Sequence, residues 1–245
     1  MSRSIPDTEP SILADLAAAS RILAKRGVVD AFGHVSLRHP VDSNLYLMPS
    51  AQAPALTTPG DIITYTLNSD ALNSGTRSNF IERFIHGEIY KMRPDVNSIV
   101  HSHSASVIPF GIIKKPMVGT FHNAAFLANG APIFDIREKF GQTDMLVCDC
   151  AKGIALAETL EDKHVALMRA HGSVACGKNL QLSVFRAVYT EVSARIQTAT
   201  VMLAGSDSIE PLDQEEGRLA DAVNDTACKR AWRLWRNEIL MEVGW

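Results

Sequence analysis

Two rhythms of apolar spacing run along the chain, and they divide it into helices and strands. From residue 11 to residue 26, Ile12, Leu16, Ala19 and Leu23 recur at helical spacing, with Leu13 and Ile22 beside them. Pro10 and Ser11 stand where such a helix begins, and Gly27 stands where it ends. Val35 and Leu37 alternate with Ser36 and Arg38, which predicts a strand; residues 45–48 and 62–67 predict two more. Thr58-Pro59-Gly60-Asp61 between them reads as a turn or a single short helical turn. A second amphipathic helix covers 79–93, with Ile81, Phe84, Ile85, Ile89 and Met92 on one stripe and Pro94 as its stop. Ile99 and Val100 mark a buried strand, and residues 108–113 a loop with a short helix. A short strand at 131–135, a small-residue helix at 151–161 and strands at 165–168 and 173–177 follow. A long helix over 180–203, a polar linker over 205–214 and a final helix over 216–240 complete the chain. The pattern predicts one α/β domain, antiparallel in its front half, over residues 1–204, with a helical tail over 205–245 that packs on it or on a neighbouring subunit.

Composition narrows the classes. A chain of 245 residues with 46% hydrophobic and 21% charged residues can bury one substantial core. A net charge of −3 argues for neither nucleic acid nor an anionic membrane as partner. No apolar run is long enough to span a bilayer, and Met1–Asp7 carries no apolar signal region. The four cysteines, Cys148, Cys150, Cys176 and Cys228, lack zinc-ribbon spacing. They read as buried thiols of a cytoplasmic protein.

The chemistry starts at His101 and His103. On a strand, residues i and i+2 share a face, so two imidazoles here can chelate one metal ion. His171 ends an apolar strand and precedes Gly172, where backbone can approach closely, and it is the candidate third nitrogen ligand. Three histidines leave positions open on a metal, as a catalytic site requires. Glu82 reads either as a helix N-terminal charge or as a general acid/base or labile fourth ligand. His86, one turn on, reads as a helix-face residue or a neighbour of the site.

With these residues in view, the chain resembles the class II aldolase/adducin family. The resemblance rests on Gly33-His34-Val35-Ser36-Leu37-Arg38, Pro49-Ser50, Thr58-Pro59-Gly60-Asp61-Ile62, Glu82, the stretch from Arg93-Pro94-Asp95 through His101-Ser102-His103, and His171-Gly172. It implies α/β/α layers around a central, mostly antiparallel sheet. It implies a divalent metal on His101, His103 and His171, with Glu82 as acid/base. It also implies a homo-oligomer, a tetramer being favoured, with active sites between subunits. Adducin-like members lack the metal ligands; this chain has them, which favours an enzyme over an interaction module.

Departures from the family's sugar-phosphate aldolases concern the substrate. Those enzymes carry Gly-Asn where this chain has Gly33-His34, a second small polar residue or glycine where Ala51 follows Ser50, and a serine pair where Phe80 and Ile81 precede Glu82. Phe80 and Ile81 cannot donate side-chain hydrogen bonds to a phosphate. An aromatic and cationic set, Phe32, His34, Arg38, Phe80, Phe121 and His122, stands there instead, and arginine pairs with carboxylates in a two-pronged geometry. The chain is thus similar to the branch that decarboxylates hydroxylated aromatic and pyridine acids. By that resemblance His34, Arg38, Ser50, Phe80 and Phe121 bind the substrate and His122 joins Glu82 as a catalytic residue. Arg230 and Trp232 close a neighbouring subunit's pocket, unless the tryptophans merely pack in the core. The expected activity is decarboxylation of a hydroxy-aromatic acid with manganese, favoured for its hard oxygen ligands, or zinc. An aldolase acting on a non-phosphorylated hydroxy-oxo substrate is the alternative, and a non-catalytic adducin-like module is the second.

Overall fold

In the computed structural model, which describes residues 5–113, 115–205 and 209–245, the strand bearing His101 runs through the middle of a seven-stranded sheet. The strands are β1 (His34–Arg38), β2 (Leu45–Pro49), β3 (Ile62–Thr66), β4 (Ser98–Ser102), β5 (Ile133–Phe134), β6 (Val165–Met168) and β7 (Gly172–Gly177). Their spatial order is β3-β2-β1-β4-β7-β6-β5. Every neighbouring pair is antiparallel except β5 and β6, which run parallel at one edge. The helices are α1 (Pro10–Lys25), α2 (Phe84–Met92), α3 (Arg137–Phe140), α4 (Cys150–Leu160), α5 (Leu180–Ala204) and α6 (Gln214–Val243).

Period-two alternation puts consecutive strand residues on opposite faces, and each face has its own core. Val35, Val100, Leu167 and Ala175 pack with Leu16, Leu182 and Trp235, so α1, α5 and α6 cover one face. Tyr46, Ile63, Ile99 and Val174 pack with Ile85, Ile89 and Leu156, so α2 and α4 cover the other. The layers are therefore α/β/α, as expected. Both long helices start on a side-chain cap: Asn179 accepts from the Leu182 N–H, and Asp213 accepts from the Glu215 and Glu216 N–H groups. Cys228, Trp232, Trp235 and Ile239 of α6 lie in the same core as α1 and α5.

Three details differ from the sequence pattern. The helix expected from residue 79 begins as a 3₁₀ turn, Ile81–Arg83, and becomes α-helical only at Phe84. Glu82 there has φ −88° and ψ 20°, a conformation between helix and strand. α3 has too few residues to show a period. Cys148 and Cys150 are half-exposed, whereas Cys176 and Cys228 are buried; all four are free thiols. The polar linker expected over 205–214 falls partly on residues 206–208, outside those described. Among the described residues no helix is long and apolar enough to cross a membrane.

One close approach sets the site. β4 and β7 pair so tightly at Ser102–Ser173 that a Cβ on Gly172 would stand 2.0 Å from the Ser102 carbonyl oxygen. Backbone, not a movable side chain, is in the way. Gly172→Ala is therefore expected to lower the unfolding free energy by about 2–3 kcal/mol. A urea midpoint equal to that of the parent protein would show that the strands are not so close.

Candidate metal centre

Four side chains from four places in the fold converge where β4 and β7 meet. His101 is the fourth residue of β4, fully buried on the α2/α4 face. His103 lies one residue beyond the strand's end, not on it. His171 closes the hairpin between β6 and β7, where Ala170 takes a positive φ of 53°. Glu82 reaches in from the 3₁₀ turn ahead of α2.

Their reactive atoms face one another. His103 Nε2 lies 3.1 Å from His101 Nε2 and 3.0 Å from His171 Nε2. Glu82 Oε2 is 3.4 Å from the Nε2 atoms of both His101 and His171. All four ligand atoms fall within 4.8 Å of one another. Two atoms each about 2.1 Å from one ion, at roughly 90–109°, stand about 3.0–3.4 Å apart. The spacing is thus what a shared divalent cation needs.

Orientation of the rings supports the same reading. His101 Nδ1 is 3.2 Å from the Ser173 carbonyl, and His171 Nδ1 is 3.1 Å from the Met145 carbonyl. A carbonyl can only accept, so each Nδ1 donates and each Nε2 is left with its lone pair toward the cluster. Glu82 Oε1 accepts the Val147 N–H at 2.9 Å. The segment 145–147 therefore steadies both Glu82 and His171. Burial opposes ionisation of Glu82, but the neighbouring His101 and His171 outweigh that and hold the carboxyl far below its usual range. Burial, followed by repulsion from His101 and His171, pushes His103 down to about 4. An ionised carboxylate and neutral imidazole are the metal-binding forms.

Glu82, His101 and His103 of the cluster line a cavity of about 480 Å³. Its walls are mainly apolar: Ala31, Phe32, Ala51, Phe80, Ile81 and Leu146. Phe32 stands at the mouth, 65% exposed, and the Phe80 ring lies 4.7 Å from the ring of His34. His34 lines the cavity and is held there by Gly33, whose φ of +102° and close contact with the His101 carbonyl leave no room for a side chain. Its pKa is lowered well below the ordinary histidine value, by burial first and then by His86 and His101. Gln52, Asn79 and Leu146 also line the cavity. They carry no sequence signal, because their segments are irregular.

Arg38, expected among the substrate-binding residues, does not line this cavity in the single chain. Its guanidinium donates to the carbonyls of Ser43, Tyr90, Arg93 and Val96 and lies over the Tyr90 ring. It caps the C-terminal end of α2, where carbonyls lack helical partners. Ser50 is buried; its N–H donates to the Asp61 carbonyl, and it is absent from the cavity wall. Phe121 packs against the core and Tyr189. His122 is exposed, 3.3 Å from Asn123. Arg230 is exposed on α6, whereas Trp232 is buried in the chain's own core. In the single chain none of these last four lines the cavity.

Residues 14–198 match the model of the Class II Aldolase and Adducin N-terminal domain family. The chain belongs to that family. The matched region of the class II aldolase/adducin chain contains all four cluster residues, and Arg230 and Trp232 fall outside it. The chain is 32% identical to decarboxylase tropJ of Talaromyces stipitatus over 89% of its length and 90% of the relative's. It is 26% identical to 3,4-dihydroxyphthalate decarboxylase of Arthrobacter keyseri, again over 89% and 90% of the two chains. In fold it is similar to the solved aldolase II superfamily protein from Pseudomonas syringae, with a TM-score of 0.79, 18% identity, and 98% and 96% of the chains covered.

The placement of Arg38 has a direct consequence. Arg38→Ala should lower stability by about 2 kcal/mol, from loss of charged hydrogen bonds to carbonyls. It should leave KM for any acid substrate within about twofold, since no binding contact is removed. A large rise in KM at unchanged stability would return Arg38 to the substrate site.

Proposed function

We propose that this protein is a carbon–carbon lyase, a divalent-metal-dependent decarboxylase of a hydroxylated aromatic or heteroaromatic carboxylic acid. One observation carries the reading: Glu82, His101 and His103 of the three-histidine, one-carboxylate cluster line a cavity walled by Phe32, Phe80 and small apolar residues. A flat ring fits such walls, and polar substituents on its edge meet the cluster. The relatives named as decarboxylases, one of them of a dihydroxyphthalate, support it.

A divalent ion held by His101, His103 and His171 supplies a positive charge that polarises a substrate oxygen and stabilises the electrons left when the carbon–carbon bond breaks. Manganese is favoured and zinc also suits the ligands. The side chains do the rest. Phe80 and Phe32 hold the ring and exclude water. His34 meets an oxygen on the ring's edge. Glu82 Oε2, beside the cluster, accepts the proton of the ring hydroxyl and returns it to the ring carbon once carbon dioxide has left. The proton taken up is the proton given back, so the step balances. His122, exposed in the single chain, takes a catalytic role only if a neighbouring subunit buries it. Residues 1–204 form the catalytic unit. In a homo-oligomer, a tetramer being favoured, the tail would bring Arg230 to a partner's cavity.

The test is carbon dioxide release from a panel of ortho-hydroxy aromatic acids, using metal-stripped protein reloaded with manganese or zinc. One equivalent of carbon dioxide per acid consumed is expected, abolished by chelation. Glu82→Gln should lower kcat/KM by about 100-fold or more. Aldehyde release from a hydroxy-oxo acid, with no action on aromatic acids, would make the protein an aldolase instead. No turnover with either class would make it an interaction module.

A further inference from the structure

A chain of hydrogen bonds runs from the cavity into the core, and no step described so far uses it. His34 Nδ1 is 2.6 Å from His86 Nε2, and His86 Nδ1 is 2.6 Å from Ser36 Oγ. Ser36 Oγ is in turn 2.7 Å from the Tyr90 hydroxyl. His34 is nearly buried, and His86, Ser36 and Tyr90 are at most 1% exposed. The chain crosses between two elements: His34 and Ser36 point the same way from β1, and His86 and Tyr90 lie one turn apart on α2. At 2.6 Å the facing ring nitrogens of His34 and His86 share one proton, one donating and the other accepting.

Each imidazole in such a chain has one donor and one acceptor and each hydroxyl a single proton, so its direction is decided as a whole. If His34 donates from Nδ1, His86 must donate to Ser36; Ser36 then either accepts from Tyr90 as well and leaves its own buried proton without a partner, or donates to Tyr90. The Tyr90 proton then has only the Asn97 carbonyl, at 3.5 Å, to reach. That distance is at the limit of a hydrogen bond, and a buried hydroxyl proton without a partner costs about 1–3 kcal/mol. In the opposite direction every short contact is satisfied: Tyr90 donates to Ser36, Ser36 to His86 Nδ1, and His86 Nε2–H to His34 Nδ1. His34 is then the Nε2–H tautomer. Among the described residues Nε2 has no hydrogen-bond partner, and the residue lines the cavity.

We propose that Tyr90, Ser36 and His86 are positioning residues that fix His34 as a neutral Nε2–H donor aimed at an oxygen on the substrate's edge. Such a donor pairs with an acceptor oxygen on the substrate's edge, and pairs most strongly with the charged oxygen of an ionised carboxylate. A neutral donor also leaves the cavity without added positive charge beside the cation cluster. This pairing rests on the decarboxylase reading; the tautomer does not.

The two are tested separately. Neutron diffraction from the perdeuterated, zinc-loaded protein should show deuterium on Nε2 of both His34 and His86 and none on their Nδ1 atoms. Deuterium on His34 Nδ1 would overturn the proposal, whatever reaction the enzyme performs. In kinetics, Ser36→Ala should raise KM for the acid about tenfold and leave kcat within about threefold, while Ser36→Thr, which keeps the hydroxyl, should restore KM. An unchanged KM in Ser36→Ala would overturn it too. If no acid is turned over by the parent protein, the function fails and the neutron result still decides the tautomer. If Ser36→Ala does not fold, the parent structure and Ser36→Thr carry the test.

Discussion

Lone pairs that face one another need a cation between them, and that requirement organises this molecule. The carbonyls of Ser173 and Met145 each claim the Nδ1 proton of a histidine, and thereby turn two Nε2 lone pairs toward a third imidazole and a carboxylate. Without a positive charge such a group of buried acceptors is unfavourable. With one, their separations of 3.0–3.4 Å are those of ligands on a shared ion. The fold serves that geometry. β4 and β7 are adjacent and close enough that Gly172 admits no side chain. The turn before α2 departs from helical geometry at Glu82, and segment 145–147 steadies Glu82 and His171 by backbone bonds alone.

The cavity above the cluster reflects a different constraint. Most of its lining is aromatic and aliphatic, and Glu82, His101 and His103 bring the metal-ligating groups to it. A planar acid satisfies both parts. A phosphate beside Phe80 and Ile81 would find no side-chain donor there. Membership of the class II aldolase/adducin family fixes the scaffold, while the substrate must be argued from the wall residues themselves.

Much of this was legible in the chain, because the two periodicities report which face a side chain occupies. His101 on its strand, His171 before Gly172, and Glu82 near a helix start were all readable that way; the order of elements gave an α/β domain, and its layers came from the family resemblance. What periodicity does not report is what lies over a face. Arg38 shares a side of β1 with His34, yet it meets the carbonyl end of α2 rather than the cavity. His34, Ser36, His86 and Tyr90 each sit where spacing puts them, but their linkage depends on how α2 is set across β1. Trp232 could be read as reaching outward or packing inward, and the tertiary fold buries it. Gln52, Asn79 and Leu146 come from irregular segments, where no period exists to reveal them. The parallel pairing of two-residue β5 and the one-turn α3 were too short to leave a pattern.

The central claim is that three imidazoles share one ion beside the Glu82 carboxylate. X-ray absorption at the metal edge of zinc- or manganese-loaded protein tests it most directly. The account requires one ion per chain and the multiple-scattering signature of about three imidazoles, reduced to about two in His103→Ala. An ion bound without imidazole scattering, or no stoichiometric binding at all, would contradict it.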